Sequence, residues 1–235
     1  SSHLPSGCVM AVPLTTKRKL VGVLELTRGP AEKTFTLEDQ KALSLIANYA
    51  AVAIDNARSF QRVSALTVTD DLTELYNARY MHGVLDQEVA RAQRYHAQFS
   101  VIFLDLDHFK VVNDTHGHLN GSRLLKEVAD VIKTKLRRSD VAVRYGGDEF
   151  VVLLPETSKE EAYAVAQRLR EGIAETEFLR EAGLQVRISG SFGLASFPTD
   201  ARTKDELLRL ADDAMYEVKN ADRDGVAMAR ERQRQ

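Results

Sequence analysis

Residues 140–154 read DVAVRYGGDEFVVLL, two short apolar runs joined by a pair of glycines. The runs 140–144 and 149–154 have the β-branched and aromatic composition of strands. Gly146 and Gly147 supply the positive φ angles of a tight turn. The stretch therefore predicts an antiparallel hairpin.

Alternating helical and strand patterns surround this hairpin. Helical periodicity falls near 78–97, 119–136, 158–176 and 203–220, and further strand patterns fall near 99–104, 184–190 and 192–197. Such alternation predicts an α/β (α+β) fold in which helices cover a central sheet. Because of the hairpin, that sheet is expected to be mixed and partly antiparallel.

Two further segments precede this region. Residues 1–36 contain two short strand patterns joined by a basic turn, and 37–65 form an uninterrupted helical pattern that Thr36 can cap. A spacing of 3, 4, 3, 4, 3 relates six apolar residues of the helix: Leu43, Ile46, Ala50, Ala53, Ala57 and Phe60. This spacing predicts a dimerisation seam, and the alternative is a single amphipathic helix lying on its own domain.

The composition excludes several classes of protein. The 235 residues include 32 Lys and Arg against 34 Asp and Glu, so the formal net charge of −2 gives no reason to expect a nucleic-acid polymer as partner. The single cysteine, Cys8, rules out a disulfide framework and fits a reducing cytoplasm. No apolar run is long enough for a membrane segment.

Three acidic residues follow or begin predicted strands. Asp105 ends the apolar run 101–104, and Asp148 and Glu149 enter the second strand of the hairpin. Neighbouring carboxylates repel each other unless they share a cation. Because Mg²⁺ prefers carboxylate oxygens and substrate phosphates, the three form a candidate magnesium site. A helix cap is the alternative interpretation of Asp105.

The stretch 146–150 resembles the name-giving motif of the GGDEF family of nucleotidyl cyclases. Three further stretches resemble family motifs in the family's order, at 70–77, 105–118 and 211–223. The resemblance covers about 66–232 and implies a nucleotidyl-cyclase-like fold. Residues 13–58 resemble the C-terminal part of a GAF domain, a sensory module that often dimerises.

The family resemblance implies a role for each matching residue. The metal would be Mg²⁺, for which Mn²⁺ can substitute, held by Asp105, the Leu106 carbonyl, Asp148 and Glu149. Catalysis would involve Asp148, Glu149 and Lys110. Substrate would be bound by His108, Phe109, Asn113, His118, Ser122, Arg144, Lys219 and Arg223. Two such domains in a homodimer would each bind one nucleoside triphosphate and form a cyclic dinucleotide.

Ser122 departs from the family pattern. An aspartate that contacts guanine usually stands there, and a carboxylate only accepts hydrogen bonds, whereas a hydroxyl can donate or accept. The change resembles the hybrid promiscuous (Hypr) branch, which accepts ATP as well as GTP and makes 3′,3′-cyclic GMP-AMP. We expect the mixed product, with a plain diguanylate cyclase that makes cyclic di-GMP as the alternative.

A second site is implied by Arg137 and Asp140, which match the family's inhibitory R-x-x-D motif, with Arg168 as a third contact. They would bind a cyclic dinucleotide product and give feedback inhibition. A different class of function, an inactive cyclic-dinucleotide receptor, would use this site alone. Degenerate relatives lose acids from the motif, and Asp105, Asp148 and Glu149 are all present here.

Overall fold

The computed structural model describes residues 8–16, 19–29, 34–64 and 67–230, with the side chains of all of these except 58–64. The chain divides into two compact units, 1–67 and 68–235. Within the described residues, no helix combines the length and the apolar character needed to cross a membrane.

The first unit is a hairpin with a helix packed on it. Strands β1 (Cys8–Thr15) and β2 (Leu20–Arg28) are antiparallel, and helix α1 spans Leu37–Ser64. The Thr36 hydroxyl accepts a hydrogen bond from the Asp39 amide at 3.2 Å and caps α1, as predicted.

Helix α1 has two apolar faces. One face buries Leu43, Ala47 and Ala51 against the hairpin, as the single amphipathic helix requires. The other face leaves four large apolar side chains exposed: Leu45, Ile46, Tyr49 and Val52. The predicted seam is therefore only partly accessible, because Leu43 is buried while Ile46 is exposed. The side chain of Phe60, the last seam residue, lies outside the described residues.

The second unit is a sheet covered by helices, and this confirms the predicted fold class. Its elements are β3 (Tyr76–Asn77), α2 (Ala78–Tyr95), β4 (Phe99–Leu106), α3 (Phe109–His116), α4 (His118–Lys135), β5 (Val141–Gly146), β6 (Glu149–Pro155), α5 (Lys159–Glu175), β7 (Gly190–Phe197), α6 (Lys204–Asn220) and β8 (Val226–Met228). The described strands form one six-stranded sheet in the order β3-β5-β6-β4-β7-β8. Its three inner pairings are antiparallel, and the β3–β5 and β7–β8 pairings are parallel.

Strand β4 lies at the centre of the sheet, and all eight of its residues are buried. Alternate side chains enter two separate cores, as expected when helices cover both faces. Leu104 packs in the core with α3, α4 and α5, and Phe103 packs in the core with α2 and α6. The end of β4 is thereby held firmly from both sides.

Two sequence predictions are wrong in detail. Residues 184–190 do not form a strand up to Gly190, because Val186 makes only an isolated bridge with Phe178. Val186 and Ile188 are buried in the core, so the apolar alternation reflects burial without a neighbouring strand. The short helix α3 was not predicted; it begins after His108, which has a positive φ of 59° and no side-chain cap.

A buried ion pair lies at the end of the sheet where β4 begins. The Lys159 ammonium contacts the Asp200 carboxylate at 2.7 Å and donates to the Ala229 carbonyl at 2.7 Å. Asp200 also accepts a hydrogen bond from the Ser196 amide at 2.8 Å. Since each charged group has hydrogen-bonding partners, burial of the pair is tolerated.

Helix α6 approaches the sheet most closely at Gly193 of β7. A methyl group on Gly193 would overlap backbone atoms of Ala211 and Met215. Backbone atoms of a packed helix cannot move aside as the end of a flexible side chain can. Only glycine therefore fits at this position.

We therefore expect Gly193→Ala to lower the free energy of unfolding by about 3 kcal/mol or more, the upper range for overpacking. Gly83→Ala is the matched control, because Gly83 is an exposed α2 residue with nothing within 4 Å of an added methyl. That control should gain about 0.5–1 kcal/mol from helix propensity. Denaturant unfolding of both variants measures the difference, and equal stabilities would contradict the close contact.

Candidate functional site

Asp105 lies at the end of β4, with only 5% of its surface exposed. It stands directly opposite Glu149 of β6 and Ser191 of β7. Opposite residues of antiparallel strands project from the same face of the sheet. Asp105 and Glu149 are therefore neighbours on the face that α6 covers.

The turn before Glu149 is held by Arg144. Its guanidinium donates to the Gly147 carbonyl at 3.1 and 2.8 Å and pairs with Asp70 at 3.1 Å. Gly147 has a φ of +51°, the conformation that favours glycine. Arg144 was predicted to bind substrate; in the structure it fixes the turn that carries Asp148.

The environment of Asp105 disfavours its charge. Burial raises the pKa of the Asp105 carboxyl, and the negative charges of Asp148 and Asp107 raise it further. The ammonium of Lys219, 2.7 Å from the Asp105 carboxylate, opposes this rise. Lys219 was predicted to hold phosphate, and here it supplies the positive charge that the acidic cluster needs.

For Glu149, the charge of Lys219 lowers the pKa of the carboxyl, but the opposing influences are larger. Burial raises the pKa of the Glu149 carboxyl, and so do the charges of Asp105, Asp212 and Asp148. Asp212 belongs to α6, so this helix adds a carboxylate to the site as well as Lys219. The cluster is short of positive charge at neutral pH.

The predicted base-contacting residues lie on α3 and α4. Phe109 is a core residue with 9% exposure, and its ring and the Asn113 amide lie against Gly121, where a methyl group would overlap Asn113. Asn113 and Ser122 are both half-buried. Because Ser122 follows Gly121, the two predicted base contacts are close to each other.

The other predicted substrate residues lie at the surface. Three of them are exposed side chains near α3, namely His108, Lys110 and His118. Arg223 is exposed in the loop after α6 and has a φ of +56°. The exposed ammonium of Lys110 and guanidinium of Arg223 can meet an anionic ligand from solvent.

The three residues of the predicted inhibitory site line one pocket. Arg137, Asp140 and Arg168 surround it together with five others: Leu154, Thr157, Glu161, Ala164 and Val165. Asp140 accepts a hydrogen bond from the Arg137 amide at 2.8 Å, and Arg168 donates to the Lys135 carbonyl at 2.7 Å. Both guanidinium groups belong to exposed residues.

Sequence analysis missed Asp107 and its partners. Asp107 is 3% exposed and accepts hydrogen bonds from the hydroxyls of Ser189 and Ser191, both at 2.7 Å. The serines lie more than 80 residues further along the chain. No local spacing could have indicated this contact.

Comparison with known proteins agrees with this geometry. The model for "Diguanylate cyclase, GGDEF domain" matches residues 67–225. The chain belongs to the GGDEF family of diguanylate cyclases. A GAF-domain model also matches residues 1–56.

Individual relatives support the assignment. The chain is 33% identical over 223 residues to diguanylate cyclase A of Treponema denticola, covering 93% of this chain and 59% of that protein. It spans less than two thirds of this relative's length, and only 26% and 35% of the length of two others. The relatives whose names include diguanylate cyclase favour the plain diguanylate cyclase over the mixed-product interpretation.

Solved GGDEF structures show the same fold. A truncated TpbB (YfiN) from Pseudomonas aeruginosa that comprises only the GGDEF domain is 35% identical, with a TM-score of 0.66, covering 69% of this chain and 94% of that one. The GGDEF domain of DgcB from Caulobacter crescentus, in complex with c-di-GMP, is 30% identical, with a TM-score of 0.65, covering 69% and 96%.

GGDEF cyclases generally use a divalent metal ion, and the chemistry of this donor set suits one. Asp105 and Glu149 are neighbouring hard-oxygen donors whose raised pKa values mark a shortage of positive charge. Among residues 8–16, 19–29, 34–64 and 67–230, however, no three His, Cys, Asp or Glu side chains are grouped closely enough to hold a metal ion. A cation would therefore draw on the substrate's phosphates as well as on Asp105, Asp148 and Glu149.

The raised pKa of Glu149 predicts how Glu149→Gln changes stability. Between the ordinary value of 4.5 and the raised pKa, the folded state binds more protons than the unfolded state. Stability of the wild type therefore falls as pH rises through this window. The Gln side chain of Glu149→Gln does not ionise, so this variant does not lose stability in that window. Its melting temperature should therefore exceed that of the wild type by a few degrees at neutral pH but not at pH 4.

The same variant should show a smaller rise in melting temperature on addition of Mg²⁺, because one donor is lost. Glu171→Gln is the control, since Glu171 is an exposed α5 carboxylate outside the cluster. Calorimetry of the three proteins, with and without Mg²⁺, measures both effects. Identical behaviour of Glu149→Gln and wild type would contradict the shortage of positive charge.

Proposed function

We propose that this chain is a cyclic-dinucleotide synthase that condenses two GTP molecules into cyclic di-GMP and releases two pyrophosphates. Its membership of the GGDEF family and the printed names of its relatives support this activity. The observation that carries the proposal is the position of Asp105, at the end of β4, opposite Glu149, with Lys219 paired to Asp105 at 2.7 Å. A receptor without activity would not need to keep this costly cluster.

The reaction needs alignment and charge neutralisation more than covalent chemistry. A divalent ion held by Asp105, the Leu106 carbonyl, Asp148 and Glu149 would neutralise phosphate charge; Mg²⁺ is our choice, with Mn²⁺ as a substitute. An acid of the 148–149 pair accepts the proton of the attacking 3′-hydroxyl.

Cationic side chains hold the triphosphate in this proposal. Lys110 contacts phosphate and stabilises the charge that develops in the transition state. Lys219 and Arg223 hold the terminal phosphates, so Lys219 exchanges its carboxylate partner for a phosphate when substrate binds. Both partners are anionic, and the ammonium therefore stays compensated throughout.

The synthase acts as a homodimer, because each 3′-hydroxyl must attack the α-phosphate bound by the other domain. The second apolar face of α1 supports this assembly. Ile46 and Tyr49 are 58% and 73% exposed there, and a contiguous exposed apolar surface marks an interaction site.

Ser122 supports a second candidate function, a Hypr-type synthase that joins GTP and ATP into 3′,3′-cyclic GMP-AMP. The Ser122 hydroxyl can accept from guanine or donate to the N1 acceptor of adenine, whereas an aspartate would favour guanine alone. Loss of one good bidentate base contact relaxes selectivity by about 1–3 kcal/mol. Asn113, which lies close by, can serve either base.

Incubation with equimolar GTP and ATP and Mg²⁺, followed by mass analysis, tests both candidates. Predominant cyclic di-GMP is the expected outcome for the first and cyclic GMP-AMP for the second, while no product would leave only the receptor function. Ser122→Asp should shift output toward cyclic di-GMP by about tenfold if residue 122 selects the base. Ser122→Ala separates the loss of a hydroxyl from the gain of a carboxylate, and an unchanged ratio in both variants would assign selectivity elsewhere.

The pocket at Arg137 predicts feedback inhibition by the product. Arg137 and Arg168 suit phosphate and guanine through their bidentate guanidinium groups. Arg137→Ala should remove inhibition by added cyclic di-GMP while initial rates stay near wild type. Arg138→Ala is the matched control, because Arg138 is adjacent to Arg137 in sequence but does not line the pocket; equal inhibition of the two variants would count against the site.

A further inference from the structure

The buried carboxylate of Asp107 has no part in the proposed chemistry. One of its oxygens accepts from the Ser191 hydroxyl at 2.7 Å. The other accepts from the Ser189 hydroxyl at 2.7 Å and from the Asp224 amide at 3.0 Å. Its hydrogen-bonding capacity is therefore directed at protein groups, one of which belongs to the loop between α6 and β8.

That loop, residues 221–225, needs to be held in place. Arg223 and Asp224 have φ angles of +56° and +42°, a region that side-chain-bearing residues adopt only when surrounding contacts require it. Arg170 of α5 donates to the carbonyl and the carboxylate of Asp224, both at 3.0 Å. Asp107 holds the Asp224 amide from the side of the sheet, so the loop is fixed between two elements.

The position of this loop governs two of the proposed phosphate contacts. Lys219 lies in the last turn of α6, just before the loop, and reaches Asp105 at 2.7 Å. Arg223 lies within the loop, beside the residue that Asp107 holds. Since Asp105 and Asp107 are two residues apart on the same chain segment, one segment fixes both the acidic cluster and these cations.

We propose that Asp107 is a positioning residue, whose buried carboxylate holds the 221–225 loop so that Lys219 and Arg223 face the triphosphate. The inference rests on the proposed function for the identity of the ligand. It assigns no proton transfer or metal contact to Asp107. Loss of its hydrogen bonds would weaken substrate binding while the reacting groups stay intact.

Two substitutions separate positioning from charge. Asp107→Ala removes all three hydrogen bonds. Asp107→Asn can keep them, because its carbonyl oxygen can accept from Ser189 and Asp224 while its amide donates to the Ser191 hydroxyl, which also accepts. Positioning predicts that Asp107→Ala raises KM for GTP by about tenfold or more, since misplacement of about 1 Å can cost up to a hundredfold. The value of kcat should stay within about threefold, and Asp107→Asn should remain near wild type in both.

Two readouts need no turnover: the Kd of a non-hydrolysable GTP analogue with Mg²⁺, and amide hydrogen exchange of residues 221–225. Asp107→Ala should raise both the Kd and the exchange rate, and Arg170→Gln should change them in the same direction. Ser100→Ala is the control for a lost buried contact, because Ser100 is fully buried on β4, the strand that precedes Asp107, and hydrogen-bonds to Ser196 at 2.6 Å. It should leave loop exchange and KM unchanged.

The outcomes distinguish this inference from the proposed function. If wild type binds the analogue but forms no product, synthesis fails as the function, while Kd and exchange still test positioning. If wild type is active and Asp107→Ala changes neither the loop nor KM, the positioning role is wrong. An Asp107→Asn variant that loses kcat as severely as Asp107→Ala would assign the carboxylate charge to the chemistry and overturn the inference.

Discussion

The ion pair between Asp105 and Lys219 is the interaction on which the site depends. A carboxylate at the end of a strand buried on both faces loses its hydration, and the nearby acids add repulsion. Lys219 offsets this cost only because α6 lies directly on β7. That close approach exists because Gly193 has no side chain, so one glycine in a strand controls the electrostatics at the rim of the sheet.

Strand β6 connects the two candidate sites of the GGDEF domain. It begins at Glu149, beside Asp105, and runs through a buried apolar stretch to Pro155. Leu154, near its end, lines the pocket with Arg137 and Arg168. The acidic cluster and the proposed product pocket therefore lie near opposite ends of one buried strand.

Much of this architecture could be predicted from the sequence because it is local. The hairpin around Gly146 and Gly147 follows from turn chemistry, and the long helices follow from their periodicity. Helix α3 escaped prediction since it has only eight residues and no side-chain cap. The segment near Val186 looked like a strand because alternating burial produces the same pattern whether or not a neighbouring strand exists.

The candidate site also contains some residues that the sequence indicates and others that only the folded chain brings together. Asp105, Asp148 and Glu149 could be proposed from the sequence because they flank predicted strands, and the family motif pointed to the same residues. The structural task of Arg144 and the partners of Asp107 depend on residues distant in sequence, which only the folded chain brings together. The exposure of Ile46 likewise depends on the rotation of α1 about its own axis where it packs on the hairpin. Heptad spacing alone does not determine that rotation.

The Ala229 carbonyl accepts a hydrogen bond from the buried ammonium of Lys159. The segment after β8 therefore contributes to the structure of the second unit. A version of the second unit trimmed at the end of β8 would leave that ammonium with Asp200 as its one remaining protein acceptor among the described residues. Engineered fusions or biosensors built on this unit should keep the native sequence through Ala229 and attach their cargo beyond it.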